Sequence, residues 1–133
     1  MSIVAINNPG KEDSPVIFGT GAGQLGAGNT YTIGSASSDD IVGRWVLDFR
    51  SSSFSGSLTI VGRARGSSNA FIGIPYTARY LNGAVGTDAV QAGNTAITND
   101  SIISVVSDGL EIGITAGTVT SGTMSLDCRA CSG

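Results

Sequence analysis

The chain has 133 residues and a formal net charge of −3, contains no histidine, and only 13% of its residues are charged. This length suits one domain with a sizeable core. The acidic balance argues against direct binding of nucleic acid phosphates. Without histidine, the commonest general base and the commonest zinc ligand are missing. No apolar run is long enough to span a bilayer, and the first residues lack a signal-peptide pattern, so neither a membrane nor secretion is expected.

Residues 1–40 combine short apolar segments with turn-forming residues. Ile3–Ile6, Pro15–Phe18 and Thr30–Ile33 are candidates for short strands, and Gly-, Asn- and Ser-rich stretches separate them. We expect an N-terminal arm and a glycine-rich loop region that is part of the main domain or lies on it. Residues 41–133 then form the main β domain.

Period-two alternation of apolar and polar residues begins at Arg44 and predicts a series of strands. The turn Ser107-Asp108-Gly109 lies between two alternating stretches and predicts a β-hairpin. Leu81–Asn99 is rich in Gly, Ala, Thr and Asn, which predicts a long loop with one weak strand. The predicted inner face consists of Trp45, Leu47, Phe49, Leu58, Ile60, Leu110, Ile112 and Leu126.

Glutamate and lysine occur only at Lys11, Glu12 and Glu111, and these residue types normally cover exposed helix faces. Glycine, serine, threonine and β-branched residues, which are typical of short strands and tight turns, replace them. The sequence therefore predicts an all-β protein, an antiparallel β-sandwich or jelly roll of about seven to nine short strands.

Two motifs suggest binding chemistry that their context does not support. Gly21, Gly23 and Gly26 match a dinucleotide-binding GxGxxG, but the residues that follow cannot sustain the helix that would hold the pyrophosphate. A loop, or an arm that contacts a neighbouring subunit, fits better. Cys128-x-x-Cys131 ends a strand, whereas redox CxxC pairs begin a helix. An inert Cys128 with a free Cys131 is the leading interpretation; two chains could also complete a four-thiolate zinc site.

The sequence contains no recognisable arrangement of catalytic residues. The many serines and threonines have no histidine partner. The aspartates are scattered, with no spacing that places two on one strand face and no loop with the density of ligands that calcium needs. We therefore predict no enzyme, with no catalytic, cofactor-binding or metal-binding residues.

The second half of the chain resembles the small β-sandwich virion proteins of tailed bacteriophages that decorate or cement capsids. The resemblance runs from about Arg44 to Cys128 and is one of character, with short Ser-, Thr- and Gly-rich strands and few charges. It is carried by Arg44-Trp45-Val46, Gly56–Gly62, Ile72–Tyr76, Ser104–Ile112 and Thr120–Leu126.

The resemblance implies a virion structural protein that assembles in the host cytoplasm and bridges major capsid subunits. A homo-oligomer, a dimer or trimer, is expected. The alternative is a carbohydrate- or receptor-binding module of a phage tail or fibre, in which Tyr31, Trp45, Tyr76 and Tyr80 would be exposed stacking platforms. The candidate subunit contacts are Ile3, Val4, Ala5, Ile6, Gly21, Gly23 and Gly26.

Overall fold

The computed structural model describes residues 16–33, 43–79, 88–107 and 109–131, and within them the regular secondary structure is all β-strand. No helical segment of these residues is available to cross a membrane. The nine strands are β1 (Val16–Gly19), β2 (Thr30–Ile33), β3 (Arg44–Ala64), β4 (Ile72–Gly73), β5 (Tyr76–Arg79), β6 (Asp88–Gln91), β7 (Ala96–Ile97), β8 (Ser101–Val106) and β9 (Leu110–Cys131).

All nine strands belong to one antiparallel sheet built on the two long strands β3 and β9. The strand order is β1-β9-β3-β8-β5-β6, while β2 pairs with the first half of β9. β4 and β7 pair with the second half of β3. The all-β antiparallel prediction is confirmed. The sandwich or jelly-roll arrangement stays a prediction, because every strand joins a single sheet.

The predicted hairpin around Gly109 is wrong. Leu110 N does donate to Ser107 O at 2.7 Å, so the chain turns there. However, β8 pairs with β3 and β5, and β9 continues along β1, β2 and β3. The predicted loop over Leu81–Asn99 also needs correction, because residues 88–99 contain the two strands β6 and β7.

Bulges interrupt the β3–β9 ladder between Ser52 and Leu58. Phe49 faces Leu126 on one side of them and Leu58 faces Ala116 on the other, so β9 carries one extra residue across this stretch. Such an insertion bends a strand and changes which residues face inward. The buried side chains of β3 accordingly shift from odd numbers up to Phe49 to the even-numbered Phe54, Leu58 and Ile60.

β3 folds back strongly at these bulges. A straight strand of 21 residues would span about 65 Å. Its two ends instead contact one short connection. Ser107 N donates to Gly43 O at 2.9 Å, and Arg65 N donates to Gly109 O at 3.4 Å. Since Ser107 and Gly109 are only two residues apart, the two halves of β3 must turn toward each other.

Both halves of the sheet contribute to one connected core. Of the predicted inner face, every residue is buried except Leu110, which is 38% exposed. Leu110 is the first residue of β9 and follows the turn directly, and its predicted place on the inner face is wrong. The core also contains residues from the short strands, namely Phe18, Ile33, Tyr76, Ala78, Ile97, Ile103 and Val105.

Burial of Tyr76 should make the free energy of unfolding decrease at alkaline pH. Its ring is buried, its hydroxyl donates to Thr95 O at 3.0 Å, and burial raises the pKa of Tyr76 to about 12. An unfolded tyrosine ionises near pH 10. The stabilising contribution of the neutral ring is therefore complete below pH 10 and is lost as pH rises toward 12. We expect the free energy of unfolding to fall by up to about 1.4 kcal/mol per pH unit above pH 10.

Denaturant titrations between pH 9 and 11.5 measure this slope, and Tyr76→Phe should flatten it. The substitution leaves Thr95 O without its donor, so a loss of about 1 kcal/mol at pH 7 is expected as well. An equal slope in wild type and Tyr76→Phe would assign the alkaline transition to other groups.

Candidate interaction face

The outward side of the five-stranded half β9-β3-β8-β5-β6 is here called the outer face. Its residues alternate with the buried residues of the same strands. The pairing registers place them in rows across the sheet. One row reads Arg129, Val46, Ser104, Thr77, Val90, and the next reads Asp127, Asp48, Ile102, Arg79, Asp88.

Exposed apolar side chains gather on this face. Val106 is 65% exposed, Val90 is 78% exposed, and Ile102 is exposed to a lesser degree, while the exposed Leu110 at the start of β9 lies beside this face. Two open depressions of about 370 and 320 Å³ lie beside β8. Val90, Val106 and Leu110 line the first, and Ile102 lines the second. Of the large apolar residues exposed in the described chain, only Ile72 on β4 lines neither depression.

Charges of both signs lie beside the exposed apolar residues of the outer face. Asp48 and Asp127 lie directly opposite each other on β3 and β9, a repulsive arrangement in isolation. Arg50 offsets it, because its Nη2 lies 3.0 Å from Asp48 Oδ2. The hydrogen bonds that Arg50 donates to Asp48 and the nearby negative charges raise the pKa of Arg50. Sequence reasoning missed this carboxylate pair.

An ion pair between Arg79 of β5 and Asp88 of β6 lies at one edge of the outer face. Arg79 Nε lies 2.7 Å from Asp88 Oδ1 and Nη2 lies 3.1 Å from Oδ2, so the contact is bidentate. These hydrogen bonds lower the pKa of Asp88. Both side chains are more than half exposed, so the pair contributes little to folding stability.

A third ion pair holds the loop that follows β3. Arg63 Nε donates to Glu111 Oε1 at 2.9 Å, and the Glu111 side chain is only 8% exposed. The same guanidinium donates to Asn69 O and stacks 4.2 Å from the centre of the Phe71 ring. Because Arg63 joins β3 to β9 and to the loop at Asn69 and Phe71, we regard this cluster as structural.

Truncating this buried pair should cost far more than truncating the exposed one. Glu111→Ala leaves Arg63 partly buried without its carboxylate, and we expect the free energy of unfolding to fall by about 2–3 kcal/mol. Asp88→Ala should cost less than about 1 kcal/mol. Urea titrations of both variants make the comparison. Equal losses would mean that the Glu111 site is as well solvated as the surface pair.

The predicted contact residues fall in two places. Ile3, Val4, Ala5 and Ile6 lie outside the described residues. Gly21, Gly23 and Gly26 lie in the loop between β1 and β2. Backbone hydrogen bonds Gly19 N to Leu25 O and Leu25 N to Ile17 O hold this loop against β1, and no helix follows it. The glycines are therefore not placed as a dinucleotide-binding turn would need, and a subunit contact there stays a prediction.

The cysteine motif ends β9, as the sequence indicates. Cys128 is buried and forms no disulfide, while the Cys131 side chain lies outside the described part. No group of three or more potential metal-ligating side chains occurs among the described residues.

The aromatic residues that a glycan-binding module would display are largely internal. Trp45 is 4% exposed, which confirms that its register with Leu47 and Phe49 reflects core packing. Tyr76 is equally buried, and Tyr31 is half-buried against the core. Tyr80 lies outside the described residues. At least two of the four stacking platforms named for the receptor-binding alternative cannot contact a ligand in this conformation.

Comparison of the chain with protein-family models, with curated proteins and with solved structures finds no significant match.

Proposed function

We propose that the chain is a non-enzymatic virion structural protein, a capsid decoration or cement protein that binds the major capsid protein. The observation that carries the proposal is the outer face, where the exposed apolar residues Val90, Ile102 and Val106 lie among charges of both signs. Contiguous exposed apolar surface with a polar rim is typical of protein–protein contacts.

The body behind this face is suited to a structural role. Two strands of 21 and 22 residues run through both halves of the sheet and tie them to one core. A partner that binds such a body meets a preformed surface, so little entropy is lost in ordering it. The resemblance to phage decoration proteins supplies the choice of capsid as partner.

Capsid binding is tested with purified heads of the encoding virus that lack this protein. The full chain should co-sediment with them and saturate at a fixed ratio to the major capsid protein. Deleting residues 1–8, which removes Ile3–Ile6, should leave a folded domain that binds at least about tenfold more weakly, a loss of about 1.4 kcal/mol.

Circular dichroism and thermal unfolding of the truncated chain provide the control for folding. If the full chain does not co-sediment with the heads, the capsid proposal fails. If the truncated chain binds as tightly as the full one, the heads are bound through other residues and the arm has no part in it.

A further inference from the structure

We propose that the outer face is a self-association surface, on which a second copy of this chain packs about a two-fold axis running along β8. The inference rests on the proposed function and deepens it. The outer face packs against an identical chain, and the capsid is bound through other residues, among them residues 1–8, which the deletion test removes. The geometry predicts which residues of the two copies meet.

The residues on the axis are compatible with self-contact. In a two-fold face-to-face dimer the axis lies in the plane of the interface, so each residue on it meets its own copy. β8 presents Ile102, Ser104 and Val106 on the outer face. Two of these are apolar and exposed, the middle one is small and uncharged, and none would place like charges together.

The residues on either side of β8 are complementary. β3 and β5 flank β8, so the two-fold operation brings β3 of one copy opposite β5 of the other. Asp48 and Arg79 both pair with Ile102, from opposite sides. Asp48 therefore lies opposite Arg79 of the second copy, and this contact forms twice. Arg79 keeps its ion pair with Asp88, and its positive charge also attracts Asp48 of the second copy.

In the row above, Val46 and Thr77 both pair with Ser104, so the axis sets Val46 opposite Thr77 of the second copy. Arg129 and Val90 end this row, so they lie opposite each other as well. At the rim Asp127 lies opposite Asp88 of the second copy, a like-charge contact. This pair is farthest from the axis, where twisted sheets diverge and solvent screens the charges.

The size of the face sets the expected affinity. Five strands at about 4.8 Å spacing and six residues of β8 give a surface of roughly 24 by 20 Å. Two copies would bury on the order of 1,000 Å² together, the lower limit for a specific interface. We therefore expect a dimer that forms at micromolar concentration, so that it is complete at about 100 μM.

Sedimentation equilibrium of the full chain tests the dimer, which should show twice the 13.3 kDa mass of one chain. Val106→Asp should weaken the dimer by at least about a hundredfold, because it places two carboxylates on the axis. Ile72→Asp is the matched control, because Ile72 is 67% exposed and lies away from the face. It should dimerise like wild type. Circular dichroism checks that both variants are folded.

A charge exchange identifies the contact itself. Asp48→Arg alone sets two arginines against each other in the homodimer, and Arg79→Asp alone sets two aspartates against each other. Each variant should be monomeric. In an equimolar mixture every 48–79 contact has opposite charges again, so the mixture should form a heterodimer of wild-type affinity within about tenfold.

A wild-type chain that remains monomeric at about 100 μM would overturn the proposal, as would single variants that dimerise unchanged or a mixture that stays monomeric. A monomer that still co-sediments with heads would assign the outer face to the capsid protein, so the proposed function would survive while this inference fails. A dimer that does not co-sediment with heads would contradict the capsid proposal and leave the self-association proposal intact.

Discussion

Replacing Ile112 with alanine is expected to lower the free energy of unfolding by about 2–5 kcal/mol. Ile112 is 1% exposed and lies in β9 between Ile33 of β2 and Gly62 of β3. The truncation leaves a cavity in the half of the sheet that holds the shortest strands. Since β2 and β4 have only four and two residues, few ladder hydrogen bonds hold them if packing is lost. Urea unfolding followed by intrinsic tryptophan fluorescence measures the loss.

Ile72→Ala is the control for this experiment. It removes the same atoms from a side chain that is 67% exposed, so its effect should stay within about 0.5 kcal/mol. A loss at Ile112 no larger than the loss at Ile72 would show that the inner face has been assigned to the wrong side of β9.

Alternation identified most of the core because each half of β3 is regular by itself. Trp45 to Phe49 and Leu58 to Ile60 follow the period of two closely. The intervening Ser51–Ser57 breaks the period and contains mostly serine together with Gly56. This composition is also typical of turns. The alternation predicted a series of short strands, whereas the structure has one strand with bulges from Arg44 to Ala64. The Thr- and Gly-rich stretch of β9 opposite it likewise lacks regular alternation.

Sequence reasoning can predict which side chains of the outer face point outward, but not which of them lie close together. Asp48 and Asp127 each lie between two inward apolar residues, so alternation alone already places both side chains outward. Their juxtaposition depends on the β3–β9 register, which spans most of the chain and is set by the bulges. Exposure of Val106 likewise follows from alternation in β8, but its proximity to Val90 requires β5 and β6, whose pairing no local pattern specifies.

Replacing Gly122 with alanine should destabilise the bend by about 3 kcal/mol or more. Gly122 has a φ of +67°, which disfavours any residue with a side chain. An added Cβ would also collide with the carbonyl oxygen of Ser53 on the opposing strand. Ser53 itself has a φ of 53°, so the backbone there has little freedom to retreat. Because this stretch turns both halves of the sheet toward one core, the loss should appear in global unfolding.

Gly66→Ala separates the two causes. Gly66 has a φ of +76°, and an added Cβ there would meet no atom within 4 Å. It should therefore show only the conformational cost, about 1–2 kcal/mol. The excess at Gly122 then measures the collision across the bend. Thermal and urea unfolding of both variants decide the matter. Equal losses at the two glycines would mean that the strands separate at the bulge without strain, and that the sheet is not held bent by this contact.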